Sequence, residues 1–280
     1  MGAPVKSPLK KIFKRSPRVP LVRLSGMISA ESSALRRGMN LENVAPLLKE
    51  AFEMPRAQAV ALLINSPGGS PVQSALIAQR VRELATEKEL PVLAFVEDVA
   101  ASGGYWLASA ADEIFADSAS IIGSIGVIAG GFGFSEAIAK LGIERRVYTA
   151  GENKGMLDPF QPENPDEVAR LNNILEDLHA IFRTQVENRR EGKLAKEDPE
   201  IFSGAFWTAG GALDRGLIDG IGHYRTVLRE RYGEEIKIET VKAKVPLLRR
   251  LSGGGFGADD LVDSLAARID ERLLRQQFGG

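Results

Sequence analysis

With 280 residues, a charged fraction of 26% and a formal net charge of −1, the chain is long enough to bury a sizeable core and lacks the basic excess of a nucleic-acid binder. It has no cysteine, which excludes disulfides, thiol catalysis and cysteine-ligated zinc. No run approaches the roughly 18 consecutive apolar residues of a membrane span, and no secretory signal follows the basic N-terminus.

Residues 1–18 carry Lys6, Lys10, Lys11, Lys14, Arg15 and Arg18 and no acid. They read as a flexible, solvated arm, one that anionic lipid would attract by about 1 kcal/mol per cation near the surface. A cytoplasmic protein, with peripheral contact to the inner face of a membrane through this arm, is the expectation. Order begins at Val19–Leu24, a first strand leading into Gly26. Leu41, Val44, Leu47, Leu48 and Phe52 have helical spacing within Asn40–Phe52. Ala59–Ile64 is a continuous apolar run, the pattern of a strand buried on both faces. The turn Asn65–Ser70, NSPGGS, precedes a helix over Val72–Leu84. Pro91–Val96 is another buried strand, followed by a turn and a small-residue helix from about Ala101 to Ala111.

Ile114–Ala116 and Arg146–Thr149 are expected as short strands, and Asp166–Glu191 as one long amphipathic helix (Val168, Leu171, Leu175, Leu178, Phe182, Val186). Residues 205–230 form a small segment of helix and turn. After residue 235 come a strand, the glycine-rich linker Ser252–Gly257 and a terminal helix with Leu261, Leu265, Ile269 and Leu273 on one face. That face needs a cover, for which a partner subunit suits better than lipid because acids are as common there as bases. Strands alternating with helices predict an α/β domain over residues 19–235 with a parallel sheet and right-handed crossovers, followed by a C-terminal extension over 236–280.

Val96–Ala111, VEDVAASGGYWLASAA, carries the most chemical information. A buried strand ends, the chain turns, and Ser102 stands at the start of a helix with Gly103 and Gly104 behind it, so a substrate backbone has room to approach. The unpaired N–H groups and partial positive charge of a helix start would stabilise an alkoxide or a neighbouring oxyanion. A plain N-cap is the competing explanation for such a serine. The second turn, Ser66–Ser70, also follows a buried strand and precedes a helix. In a parallel sheet both turns lie at the carboxyl ends of strands, where open α/β proteins bind ligands.

A nucleophilic serine needs a base. The two histidines, His179 in the long helix and His223 after the turn GLIDGIG, read as ordinary helix-face or surface residues, so a Ser-His-Asp triad has poor support. A lysine serves if burial lowers its pKa toward neutrality. Lys154, between Gly151 and Gly155 in AGENKGMLDP, stands apart from lysines in charged surface stretches, although a surface-loop lysine is the plain alternative.

In order, NSPGGS, ASGGYWLASAAD, GSIGV (Gly123–Val127), GENKGMLDPF and WTAGGALDRGLIDGIG (Trp207–Gly222) resemble the signal peptide peptidase A family of serine peptidases, from about Val19 to His223. The resemblance implies a Clp/crotonase-like spiral of βαβ units. It implies a Ser-Lys dyad of Ser102 as nucleophile and Lys154 as base, with Ser124 orienting the lysine amine. Backbone N–H groups of Gly69 (or Gly68) and Gly103 would form the oxyanion hole. It further implies peptide substrates, no cofactor or metal, and a homo-oligomer, with an octamer favoured, in which Ser and Lys of one site can come from adjacent subunits. Many members carry an N-terminal membrane anchor that this sequence lacks. Two other functions fit parts of the pattern: a crotonase-like acyl-CoA enzyme, in which a Ser-Lys pair has no role, and an inactive scaffold, against which the intact Ser102 and Lys154 count.

Overall fold

The computed structural model describes residues 16–31, 38–195 and 197–242. Most of the basic arm, the Ser252–Gly257 linker and the terminal helix expected around Leu261–Leu273 lie outside the described residues. β1 (Arg18–Ser25), β2 (Val60–Ser66) and β3 (Val92–Ala101) pair in parallel, and β8 (Lys237–Thr240) pairs in parallel with β1. Helices α1 (Leu41–Phe52) and α2 (Pro71–Lys88) are the crossovers between them. β3 is the branching strand. Its first half pairs with β4 (Glu113–Ala116) and its last three residues with β5 (Ile121–Gly123), while β7 (Gly220–Ile221) extends β4. One pairing is antiparallel, between β5 and β6 (Phe206–Thr208). The expected α/β class with a mostly parallel sheet is what the chain forms.

The apolar runs make this sheet because they are covered on both faces. Val22, Leu24, Leu62, Ile64, Ala94 and Val96 face a cluster with α1, α2 and α3 (Gly103–Ser109). The alternate residues Leu21, Ala61, Leu63, Leu93 and Phe95 face a second cluster closed by Leu228 of α7 (Tyr224–Tyr232). Caps set the helix ends: Asn40 and Ser70 accept N–H groups of Asn43 and Gln73 at the starts of α1 and α2.

Three sequence expectations shift. β3 runs on through Glu97–Ala101, and its register against β2 slips between Ile64 and Ser66, a bulge of the kind that re-aims strands beside functional sites. The helix after Ser102 is correspondingly shorter. Arg146–Thr149 forms no strand. It is exposed, and a strand without a neighbour leaves its backbone groups unpaired. The long helix is α5 (Pro165–Arg189), whose buried residues are Phe182 and Val186.

The C-terminal end of α5 is held by a buried ion group. Arg190, 1% exposed, donates to Asp219 (2.6 Å) and to the Gly216 carbonyl, and Lys193 reaches the other Asp219 oxygen at 2.7 Å. Burial pushes the Asp219 carboxyl up, but hydrogen bonds from Arg190, Lys193 and the Ile114 N–H outweigh it and hold the pKa below the usual range. Asp219→Ala leaves Arg190 buried without a counter-charge, so urea denaturation at pH 7 should show a loss of about 3–5 kcal/mol. A lowered carboxyl pKa supports the fold at neutral pH and stops doing so as the pH falls through it. The gap between wild type and variant should therefore close only below about pH 4.

Candidate active site

The turns after β2 and β3 touch through their backbones. A Cβ on Gly68 would lie 2.8 Å from both the Gly103 nitrogen and Ser102 Cβ, and one on Gly103 would collide with Ser74 Oγ. A Cβ on Gly104 would press into the Ser66 carbonyl, and one on Gly69 would lie 2.9 Å from the Ile28 carbonyl carbon. Gly68 and Gly69 have φ of 107° and 135°, conformations costly to any other residue.

Ser102 occupies the N-cap position of α3 with φ 51° and ψ −124°, and its side chain makes no cap hydrogen bond. The backbone is pinned on both sides: its N–H donates to the Gly123 carbonyl (2.9 Å) and its carbonyl accepts from the Trp106 N–H (3.0 Å). Ser70, by contrast, does cap its helix. Capping therefore does not explain Ser102. A non-glycine residue in this strained conformation costs about 1–3 kcal/mol and persists where the surroundings over-determine it, as in the sharp strand-to-helix turns that present nucleophilic serines.

Gly69 forms a parallel bridge with Ile28, in which the bonds run from Ile28 N–H to the Gly68 carbonyl and from Ser70 N–H to the Ile28 carbonyl, each 2.8 Å. The N–H of Gly69, an exposed residue, takes no part in the bridge. The N–H of Gly68 donates to Ser66 Oγ at 3.2 Å. Of the two glycines considered as oxyanion donors, Gly69 therefore has the unspent N–H, as does Gly103 at the first position of α3.

Ser124 reaches the same place because β5 pairs with the end of β3, Ala101 opposite Gly123. Its φ is 52°, and its N–H donates to the Ala205 carbonyl at 2.7 Å. Ser102, Gly103, Gly69 and Ser124 line one cavity of about 420 Å³. Its apolar walls are Trp106, Val127, Ile128 and, from α5, Leu178 and Phe182, with the Trp106 and Phe182 rings stacked at 4.7 Å.

Lys154 does not line this cavity. It is exposed, so the expectation of a buried lysine is not met within a single chain. The physical reason is that its segment bonds to itself and to the first turn of α5. The Phe134 N–H donates to the Pro159 carbonyl, Arg145 pairs with Asp158 at 2.8 Å and lies over the Phe160 ring, and the Leu157 N–H donates to Glu167. Ile128, Phe132, Leu141 and Tyr148 are 73–90% exposed along this arm, which includes the short helix α4 (Ser135–Lys140).

Of the histidines, His223 accepts the Arg225 N–H and caps α7. His179 is closer to the site than its place in a long helix suggested, since Nε2 lies 3.2 Å from the carbonyl oxygen of Ile125, next to Ser124. Its position three residues before Phe182, on the inward stripe of α5, was the available signal.

Two substitutions test the geometry. Ser102→Gly relieves the strained φ and should raise the midpoint of chemical denaturation by an amount worth about 1 kcal/mol. Gly104→Ala should cost about 1–3 kcal/mol by overpacking against Ser66, whereas Gly130→Ala, with open space around it, should stay within about 0.5 kcal/mol of wild type in the same measurement.

Comparison with known proteins places the chain in a family. A protein from Brucella abortus (strain 2308) named Na(+)/H(+) antiporter NhaA is 47% identical over 273 residues, covering 95% of this chain and 37% of that one. The chloroplastic serine protease SPPA of Arabidopsis thaliana is 29% identical over 231 residues, 82% of this chain and 32% of that one. Protease 4 of Haemophilus influenzae (strain ATCC 51907 / DSM 11121 / KW20 / Rd) is 29% identical over 224 residues, 76% and 34%. The chain thus spans about a third of the length of these relatives, and with the Brucella protein it shares the matched third rather than the name. No helix among the described residues is long and apolar enough to cross a membrane. Residues 85–236, which hold the serine turn, Ser124, Lys154 and α5, match peptidase family S49, and the chain belongs to that family.

Proposed function

We propose that the chain is a serine endopeptidase in which Ser102 attacks a peptide carbonyl and Lys154, supplied by a neighbouring copy, is the base. The observation that carries this is Ser102 itself: strained, uncapped, and in one cavity with two unspent backbone donors. Membership of a peptidase family supports the reaction class.

In this mechanism a neutral Lys154 amine takes the Ser102 proton as Oγ bonds to the carbonyl carbon. The negative charge that develops on the carbonyl oxygen is met by the N–H groups of Gly69 and Gly103. The C–N bond then breaks, the amine leaves with the proton from Lys154, and water hydrolyses the acyl-enzyme with Lys154 again as base. Ser124 orients the amine. The sequence supports no separate cofactor role, since dyad and donors suffice for acyl transfer.

A neighbour is invoked because the lysine arm is ordered by bonds within itself and to α5, carries exposed apolar side chains and leaves its own Ser102 without a base. A head-to-tail contact between copies buries that surface and brings an amine to each serine, and such contacts close into rings. An octamer is the assembly we favour. The apolar walls of Trp106, Phe182, Leu178 and Val127 suit extended, unfolded or membrane-derived peptides, remnant signal peptides among them. A site on the cytoplasmic side, with peripheral lipid contact through the cations of residues 1–18, belongs to the same proposal.

Intact-mass labelling with a fluorophosphonate tests it. Wild type should gain one adduct per chain, Ser102→Ala none, and Lys154→Ala should label at least about 100-fold more slowly. Mixing Ser102→Ala with Lys154→Ala subunits should restore part of the rate, because each intact serine then meets a neighbour's intact lysine. An unlabelled wild type, or Lys154→Ala labelling at the wild-type rate, would sink the dyad. Failure of the mixture alone would return the lysine to its own chain's serine.

A further inference from the structure

We propose that His179 is a positioning residue of this site, holding the turn that carries Ser124 and the root of the Lys154 arm; this rests on the catalytic roles proposed above.

The turn Gly123–Gly126 is a mechanically awkward piece of chain. Gly123 and Ser124 both have positive φ, 121° and 52°, and at Gly126 the chain leaves the packed body for the exposed arm. Beyond the β5 ladder bonds at Gly123, three backbone bonds hold it: Ser102 N–H to the Gly123 carbonyl, Ser124 N–H to the Ala205 carbonyl, and Gly126 N–H to the Ser124 carbonyl. To these is added the contact of His179 Nε2 with the Ile125 carbonyl at 3.2 Å. It is the side-chain tether of the turn among the described residues, and the last one before the arm departs. A carbonyl only accepts, so Nε2 carries the proton, in the neutral ring as well as in the imidazolium.

The helix behind the tether makes it stiff. α5 is fastened to the serine helix by the Trp106–Phe182 stack, by Gln185 to Ser109 Oγ, and by Arg189, which donates to the carbonyls of Ser109 and Ala111 at the end of α3. The same helix therefore grips the element that starts at Ser102 and, through His179, the turn that presents Ser124. Loss of the His179 bond leaves Ile125 buried with an unsatisfied carbonyl and frees the strained turn to relax. Ser124 would then move relative to Ser102 while the fold persists, since the backbone bonds and the core remain.

The test compares His179→Gln, whose amide nitrogen can stand where Nε2 stands, with His179→Phe, which keeps the ring and loses the donor. Two readouts are taken on the full-length protein. Hydrogen exchange at the amides of Ser124 and Gly126 reports the turn without any need for activity; it should quicken at least tenfold in His179→Phe and stay at the wild-type rate in His179→Gln. The maximal rate of fluorophosphonate labelling at saturating probe should fall at least tenfold in His179→Phe and return in His179→Gln, with the thermal midpoint of both variants near wild type.

Unchanged exchange in His179→Phe would overturn the proposal, as would faster exchange with undiminished labelling, which would make the histidine structural only. Failure of His179→Gln to restore either readout would overturn it too. If wild type itself takes no label, the dyad fails, and the exchange comparison still decides whether His179 holds the turn.

Discussion

The site depends on two βα turns meeting backbone to backbone. Gly68 and Gly69 from one, Gly103 and Gly104 from the other, occupy space in which a methyl group would strike Ser102, Ile28, Ser74 or Ser66. Because no side chain intervenes, the end of β3 can come up against the turn after β2, and Gly69 and Gly103, with N–H groups unspent, line the same cavity as Ser102. The bulge in the β2–β3 register belongs to this constraint. It lets β3 continue to Ala101 while its tip swings to pair with β5, which delivers Ser124. A site of this kind is built from main chain first, and its few polar side chains are laid onto that frame.

The strained Ser102 is affordable because its neighbours are heavily over-determined. α3 is buried along its whole length, and the carbonyls at its C-terminal end, which a seven-residue helix cannot satisfy, are met by Arg82 and Arg189. Tyr105 adds a buried hydrogen bond to the Leu217 carbonyl, tying the serine helix to the chain just before β7. Burial raises the Tyr105 phenol well above its ordinary pKa, so this bond is a neutral O–H donor throughout the physiological range.

Much of this was legible in the sequence. Continuous apolar runs such as Ala59–Ile64 announce strands covered on both faces, and paired glycines after two of them announce turns at the carboxyl edge of a parallel sheet. Ser102 could be singled out but not separated from an N-cap, because capping and nucleophilic serines share the same local sequence; only φ and the missing cap bond distinguish them. β5, β6 and β7 have two or three residues each, too few for a periodic signal, and their pairing is decided by partners more than 80 residues away in the chain for β5 and β6. His179 read as an ordinary helix-face or surface residue; its tie to Ile125 follows from how α5 lies across the body, a tertiary fact. Lys154 marks the other limit. Its motif is distinctive, yet it stands exposed and outside the cavity that Ser102 lines, and Arg146–Thr149, which looked like a strand, lies on the same exposed arm.

That arm also bears on timing. If the lysine comes from a neighbour, as proposed, a newly made subunit would hold a complete serine turn and no base, and would be inert however well folded. Onset of activity would then be at least second order in protein concentration, with a lag set by subunit encounter, and dilution would switch activity off. Peptide hydrolysis would begin only where copies have gathered, which spares the surrounding chains during synthesis without an inhibitor or a propeptide.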